Sequence, residues 1–161
     1  MAELTHEERI KNAFEAAMKY LAASWRSEKE VREKLYLKGY HKNEVEETIE
    51  KCKYYNYVND ENYVRVFIDF YGKKYGKGKI IYKLTYEKGV EKHLAESLVE
   101  ELISDDGEVE KCSSEAEKYI AKKHITDKKD YNKVNAYLYS KGYSYEIISK
   151  SLNTLNLDEN D

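Results

Sequence analysis

Apolar residues along this chain recur at intervals of three and four, the spacing that gathers them on one face of an α-helix. Three such stretches end just before a glycine: Val31 and Leu35 before Gly39, Ile80, Ile81 and Leu84 before Gly89, and Val134, Tyr137 and Leu138 before Gly142. Another stretch follows each glycine, marked by Val45 and Ile49, by Leu94 and Leu98, and by Ile148 and Leu152. A glycine between two helical patterns sits where a helix ends in a left-handed residue, a conformation that strains any side chain. Lys38-Gly39-Tyr40, Lys88-Gly89-Val90 and Lys141-Gly142-Tyr143 return about every fifty residues, so the chain repeats itself.

A further helix precedes each pair, carrying Ile10, Phe14, Ala17 and Leu21, then Tyr63, Phe67 and Tyr71, then Ala116, Tyr119 and Ile120. The repeating unit is therefore helix, helix, glycine turn, helix. Three such helices enclose only a miniature core, and stacking with neighbours completes it. The expected fold is all-α: an elongated tandem array of three three-helix repeats near residues 8–58, 59–103 and 113–156. Ser27 with Glu30 and Ser114 with Glu117 match the capping-box pattern, and Asp60 and Ser144 stand where a side-chain acceptor satisfies free N–H groups. Gly76 is expected to end the fourth helix, Ser104–Glu108 to form a flexible acidic connector, and the tail Asp158–Asp161 to fray. Leu84 stands five residues before its glycine whereas Leu35 and Leu138 stand four before theirs, which predicts an irregularity in the second unit.

Composition supports helices: proline is absent, glycine is limited to 7, and charged residues make up 37% of the 161 positions. The apolar share contains 17 tyrosines against 3 phenylalanines and 1 tryptophan, so much of the core has polar edges. A net charge of −3 gives no global positive field toward nucleic acid, and any such contact needs a local patch. Cys52 and Cys112 lie far apart and read as reduced, buried thiols. Neither a secretory leader nor a run of about twenty apolar residues is present, so a cytoplasmic protein without membrane contact is expected.

The chain shows little sign of catalytic chemistry. Gly72-Lys73-Lys74-Tyr75-Gly76-Lys77-Gly78 lacks the preceding strand of a dinucleotide site and the Gly-Lys-Ser/Thr ending of a phosphate loop. His6, His41, His93 and His124 are scattered, with no metal-ligand spacing, and read as solvated or capping residues. Glu44, Glu46, Glu47 and Glu50 read as a solvated helix face. The feature that stands out is Tyr71, Lys73, Lys74, Tyr75, Lys77, Lys79, Tyr82 and Lys83, where bases and aromatics interleave and five lysines fall within eleven positions. Such a segment suits contact with phosphates or an acidic protein surface, although a solvated helix end over core tyrosines explains it equally. The second basic cluster, Arg26, Lys29, Arg32, Lys34 and Lys38, alternates with glutamates and reads as i, i+4 pairing on a wet helix.

Tyr20-Leu21-Ala22 followed by Arg26 to Leu35 and Lys38-Gly39-Tyr40 resembles the opening repeat of the RecX family. Tyr57 to Tyr63 resembles its turn into the second repeat, Gly76 to Leu84 with Lys88-Gly89-Val90 its basic glycine-containing link, and Tyr137 to Ser144 its closing motif. The likeness runs over residues 13–152. Tyr63-Val64 stands where a Phe-Ala pair is usual, and the spacing before Gly89 is longer. The resemblance implies three tandem three-helix repeats and a non-enzymatic, cofactor-free regulator. Such a regulator binds the RecA filament on single-stranded DNA, limits its growth and suppresses its ATP-dependent activities. A monomer with weak direct nucleic-acid contact is expected, with Tyr71, Lys73, Lys74, Tyr75, Lys77, Lys79 and Lys83 as candidate contact residues and Gly39, Gly89 and Gly142 as structural turns. A helix-turn-helix DNA binder and a scaffold for another protein are the alternatives, the former weakened by the mixed charge of the third helices.

Overall fold

The structure, a computed structural model, describes residues 2–155. The tail Asp158–Asp161 lies outside the described residues. Among them run nine α-helices and no strand: α1 (His6–Ala23), α2 (Glu28–Leu37), α3 (Lys42–Tyr54), α4 (Asp60–Tyr71), α5 (Lys77–Tyr82), α6 (Lys92–Leu102), α7 (Asp105–Lys123), α8 (Tyr131–Ser140) and α9 (Tyr145–Thr154). The helices gather in threes around three apolar clusters. Ala13, Val31, Leu35 and Ile49 centre the first, Val64, Ile80, Leu84 and Val99 the second, and Cys112, Val134, Leu138 and Ile148 the third. The helix pairs in close contact all lie within a triplet, so the triplets are joined through helix ends and turns. This is the elongated all-α array that the glycine spacing predicts.

The three turns follow one design. Gly39, Gly89 and Gly142 adopt φ of 91°, 68° and 97°, the left-handed region that a Cβ makes costly. The Tyr40 N–H donates to the Leu35 carbonyl at 3.2 Å and the Tyr143 N–H to that of Leu138 at 3.3 Å, closing Schellman-type ends. In the second unit the corresponding bond runs from the Val90 N–H to the Leu84 carbonyl at 2.9 Å and spans one residue more. A π turn at Lys83–Glu87, continuing α5, absorbs the extra residue. The irregularity foreseen from the Leu84 spacing is this turn.

Local chemistry explains most helix starts. Ser27 accepts from the Glu30 N–H while the Glu30 carboxylate accepts from the Ser27 N–H, the expected capping box, and Ser144 accepts from the Ile147 N–H. Thr5 and Glu8 form a second box, on α1, that the apolar pattern did not bring out. Other expectations are corrected. Ser114 lies inside α7, because Ser104 caps that helix through the Gly107 N–H and the acidic run from Asp105 forms its first turn. Three acids near the positive end of a helix favour helix over a flexible connector. Asn59 caps α4. Gly76 does not end the fourth helix, since α4 closes at Gly72 and Gly76 opens α5.

Glu44 also departs from the solvated face expected of it: its side chain is buried, gripped by the Arg9 guanidinium, and accepts the His41 N–H at 2.8 Å. The arginine and that N–H together hold its carboxyl down at about 2. Stability drawn from this ion is complete above the ordinary carboxylate value near 4.5 and is lost as pH falls through about 2. The melting-temperature advantage of the wild type over Glu44→Gln is therefore expected to shrink between those pH values. An advantage constant with pH would show that the Arg9–Glu44 pair does not set it. Glu46 is half-buried against Arg32, whereas Glu47 and Glu50 face solvent as expected.

Three residues of the second basic cluster pair as expected, Arg26–Glu30, Lys29–Glu33 and Arg32–Glu28 one turn apart, whereas Lys34 lies over the Tyr20 ring and Lys38 forms no ion pair among the described residues. Both cysteines are free and buried, and burial pushes the Cys52 thiol up to about 11.

Candidate interface at the second junction

The glycine-rich link Gly72–Lys79 is seated on the third unit. The Gly76 N–H donates to the Lys141 carbonyl at 2.8 Å and the Gly78 N–H to the Gly142 carbonyl at 3.0 Å, so the first turn of α5 caps the Gly142 turn. The approach requires glycine: a Cβ on Gly76 would stand 2.5 Å from the carbonyl carbon of Gly142. This requirement, rather than a helix end, accounts for Gly76 and Gly78.

Beneath the link lies a pair of charges. Glu108, 2% exposed, pairs with Lys111 at 2.6 Å and accepts the Lys77 N–H at 3.1 Å. The Lys111 ammonium also donates to the carbonyls of Gly72 at 2.5 Å and Tyr75 at 3.1 Å. Lys77 is anchored by Asp105 at 3.0 Å and Glu100 at 3.3 Å. Burial opposes the Lys77 charge, but these carboxylates prevail and raise its pKa. The first junction has the same construction: the Glu28 N–H donates to Asp60 at 2.9 Å, and the Lys29 stem covers Gly89. Asp60 thus meets a free N–H, as its position suggested, but that of another unit's helix.

Seven residues of the interleaved segment were candidates for partner contact, and the structure divides them. Lys77 is committed to the junction and Lys83 pairs with Glu87 at 3.4 Å. Tyr71 and Tyr75 are half-buried and stacked with ring centres 6.1 Å apart. Around Tyr75 stand the ammonium groups of Lys79 at 4.5 Å, Lys83 at 5.5 Å and Lys141 at 5.6 Å from the ring centre. Lys74 lies 5.5 Å from the centre of the exposed Phe70 ring, and Lys73 projects into solvent. Among the described residues, Lys73, Lys74, Lys79 and Lys141 form no ion pair with an acid. Lys141 joins the patch only through the fold, brought in by the seating of the link on the Gly142 turn. On the same junction a groove of about 860 Å³ is lined by Lys79 and by the exposed rings of Tyr82, Tyr139 and Tyr145. No group of three or more His, Cys, Asp or Glu placed to hold a metal occurs among the described residues.

These features define a class: a helical repeat protein whose units are locked end to end and whose second junction carries cationic, aromatic surface. The particular family follows from likeness to known proteins. A family model described as RecX, first three-helix domain, matches residues 13–52, and one described as RecX, third three-helix domain, matches residues 106–152. The regulatory protein RecX of Clostridium beijerinckii is 34% identical over 91% of this chain and 70% of its own. That of Clostridium botulinum is 38% identical over 90% of this chain and 69% of its own. The crystal structure of RecX from Lactobacillus salivarius superposes with a TM-score of 0.85 at 30% identity, covering 94% of this chain and 99% of that one. The chain belongs to the RecX family of regulatory proteins.

Proposed function

We propose that this protein regulates the RecA recombinase by binding the RecA filament on single-stranded DNA, where it limits filament growth and suppresses ATP-dependent activities. It acts as a monomeric, cytoplasmic binding protein and not as an enzyme, within DNA repair and recombination. The observation that carries the reading is the set of four lysines without acidic partners, Lys73, Lys74, Lys79 and Lys141, gathered about Tyr71 and Tyr75 in a chain of net charge −3. Such a patch suits acidic and phosphate-bearing surfaces, and helical units stacked end to end, on the order of 20 Å each, would reach more than one filament subunit. Lodged there, the array obstructs the subunit motions that ATP turnover and growth require.

The test is RecA ATPase on single-stranded DNA with the wild type and with Lys73, Lys74, Lys79 and Lys141 reversed to Glu. Lys77 is left alone because it holds the junction. Reversing the exposed Lys73 and Lys74 typically changes stability by less than about 0.5 kcal/mol each, whereas Lys79 and Lys141 are half-buried over Tyr75 and cost more, so helix content is expected to hold while melting falls modestly. The concentration for half-inhibition is expected to rise at least about tenfold, and wild-type inhibition to weaken as salt screens the contact. A folded quadruple variant that inhibits like the wild type removes the patch from the contact. The exposed tyrosines of the groove favour a second reading, stacking with single-stranded bases. A parallel loss of affinity for bare single-stranded DNA would make DNA binding the operative step.

A further inference from the structure

Two of the three glycine turns are covered by the preceding unit, and the third is bare. The Lys29 stem lies over Gly89, with its Cβ 2.7 Å from where a Gly89 Cβ would stand, and the first turn of α5 lies over Gly142. A Cβ added to Gly39 would meet nothing within 4 Å. Beside it Leu37, the last residue of α2, is 85% exposed and Tyr36 is 42% exposed, and with Glu33 they line a shallow concavity of about 450 Å³. The surface that receives a neighbour in units two and three is therefore present in unit one without an occupant among the described residues.

The charges say what fits it. At each internal junction the receiving unit offers a carboxylate, Asp60 or Glu108, to the free N–H of the incoming helix. Those acids stand four residues before Val64 and Cys112, the first members of the buried pairs Val64/Ile68 and Cys112/Ala116. The same register in α1, four residues before the buried pair Ala13/Ala17, holds Arg9. That arginine is held by the buried Glu44, so unit one offers no free carboxylate at this register. Lys38 and Lys42, flanking the turn, are exposed and form no ion pair among the described residues. A second copy of this chain is a poor fit, because the end it would present, where α8 begins, sets an exposed Lys128 beside the Lys129–Asp127 and Lys133–Asp130 pairs and so offers no acidic excess to Lys38 and Lys42.

We infer that the bare Gly39 turn, with Leu37, Tyr36, Lys38 and Lys42, is a second docking surface that takes an acidic, apolar-edged face of a RecA subunit. The identity of that partner rests on the function proposed above. The second junction and the Gly39 turn then engage the filament at separate places along the array, and losing either weakens the grip without touching the other.

Leu37→Glu and the double variant Lys38→Glu/Lys42→Glu test it, because these side chains are exposed and the fold does not depend on them. Each is expected to raise the concentration for half-inhibition of RecA ATPase at least about tenfold, with bare single-stranded DNA binding, helix content and melting unchanged. Both variants inhibiting like the wild type would overturn the surface while leaving the proposed function intact. A wild type without effect on RecA would overturn both. Sedimentation of the protein alone provides a further arm: concentration-dependent association abolished by Leu37→Glu would make the occupant a second copy and overturn the assignment to RecA.

Discussion

Replacing Glu108 with alanine is expected to cost about 3 kcal/mol and to loosen the third unit from the second. Removing one partner of a buried ion pair typically costs about 3–5 kcal/mol because the other charge is left without compensation. The low end applies because Lys111 is 22% exposed and keeps the Gly72 and Tyr75 carbonyls as acceptors. The Lys77 N–H also loses its acceptor. In a chain of this length such a loss lowers a melting temperature by roughly 10 °C. Because repeat arrays lose stability locally, amide hydrogen exchange is expected to quicken first in Gly72–Lys79 and in α7. Glu108→Gln retains an acceptor for the N–H but no charge for Lys111, and is expected to fall between alanine and wild type. Uniform exchange across all three units in the alanine variant would show that Glu108 does not hold the junction.

Valine at Gly142 is expected to be far more damaging than valine at Gly39, although both glycines have φ above 90°. The backbone penalty for a side chain in this region is about 1–2 kcal/mol and falls on both variants. Only Gly142 has a neighbour in the way: its Cβ would lie 3.0 Å from the Gly76 carbonyl oxygen and closer still to Lys79. Overpacking adds about 1–3 kcal/mol, bringing the Gly142→Val loss to about 4 kcal/mol. The excess is a junction effect, so it is expected to appear as lost protection on both sides of the contact, in α5 as well as α8 and α9. Equal losses in the two variants would mean that the second unit does not rest on the Gly142 turn.

The sequence by itself determined the elements and their order. Apolar spacing of three and four marks helices whatever surrounds them, and a lysine-glycine pair after each middle helix marks a left-handed ending that other residues resist. One extra residue between Leu84 and Gly89 even located the π turn, because the chain has to absorb it before the glycine can close the helix. Likeness to RecX was legible for the same reason, since those turns come in a recognisable sequence. The tertiary structure decided the roles of charged residues. Glu44 and Glu108 look like any glutamate on a wet face, and burial comes only from the helices that meet them: α1 brings Arg9 to Glu44, and the Gly72–Lys79 link brings an N–H and two carbonyls to the Glu108–Lys111 pair. Gly76 likewise reads as the end of a helix, whereas Gly76 and Gly78 are the places where one backbone lies against another more than sixty residues away. The candidate patch was divided in the same manner. Lys77 was drawn inward by acids from α6 and α7, and Lys141 was carried in from the third unit. Helix formation is governed by near neighbours along the chain, whereas the pairing of charges across a junction is governed by which ends meet, and only the packed array specifies that.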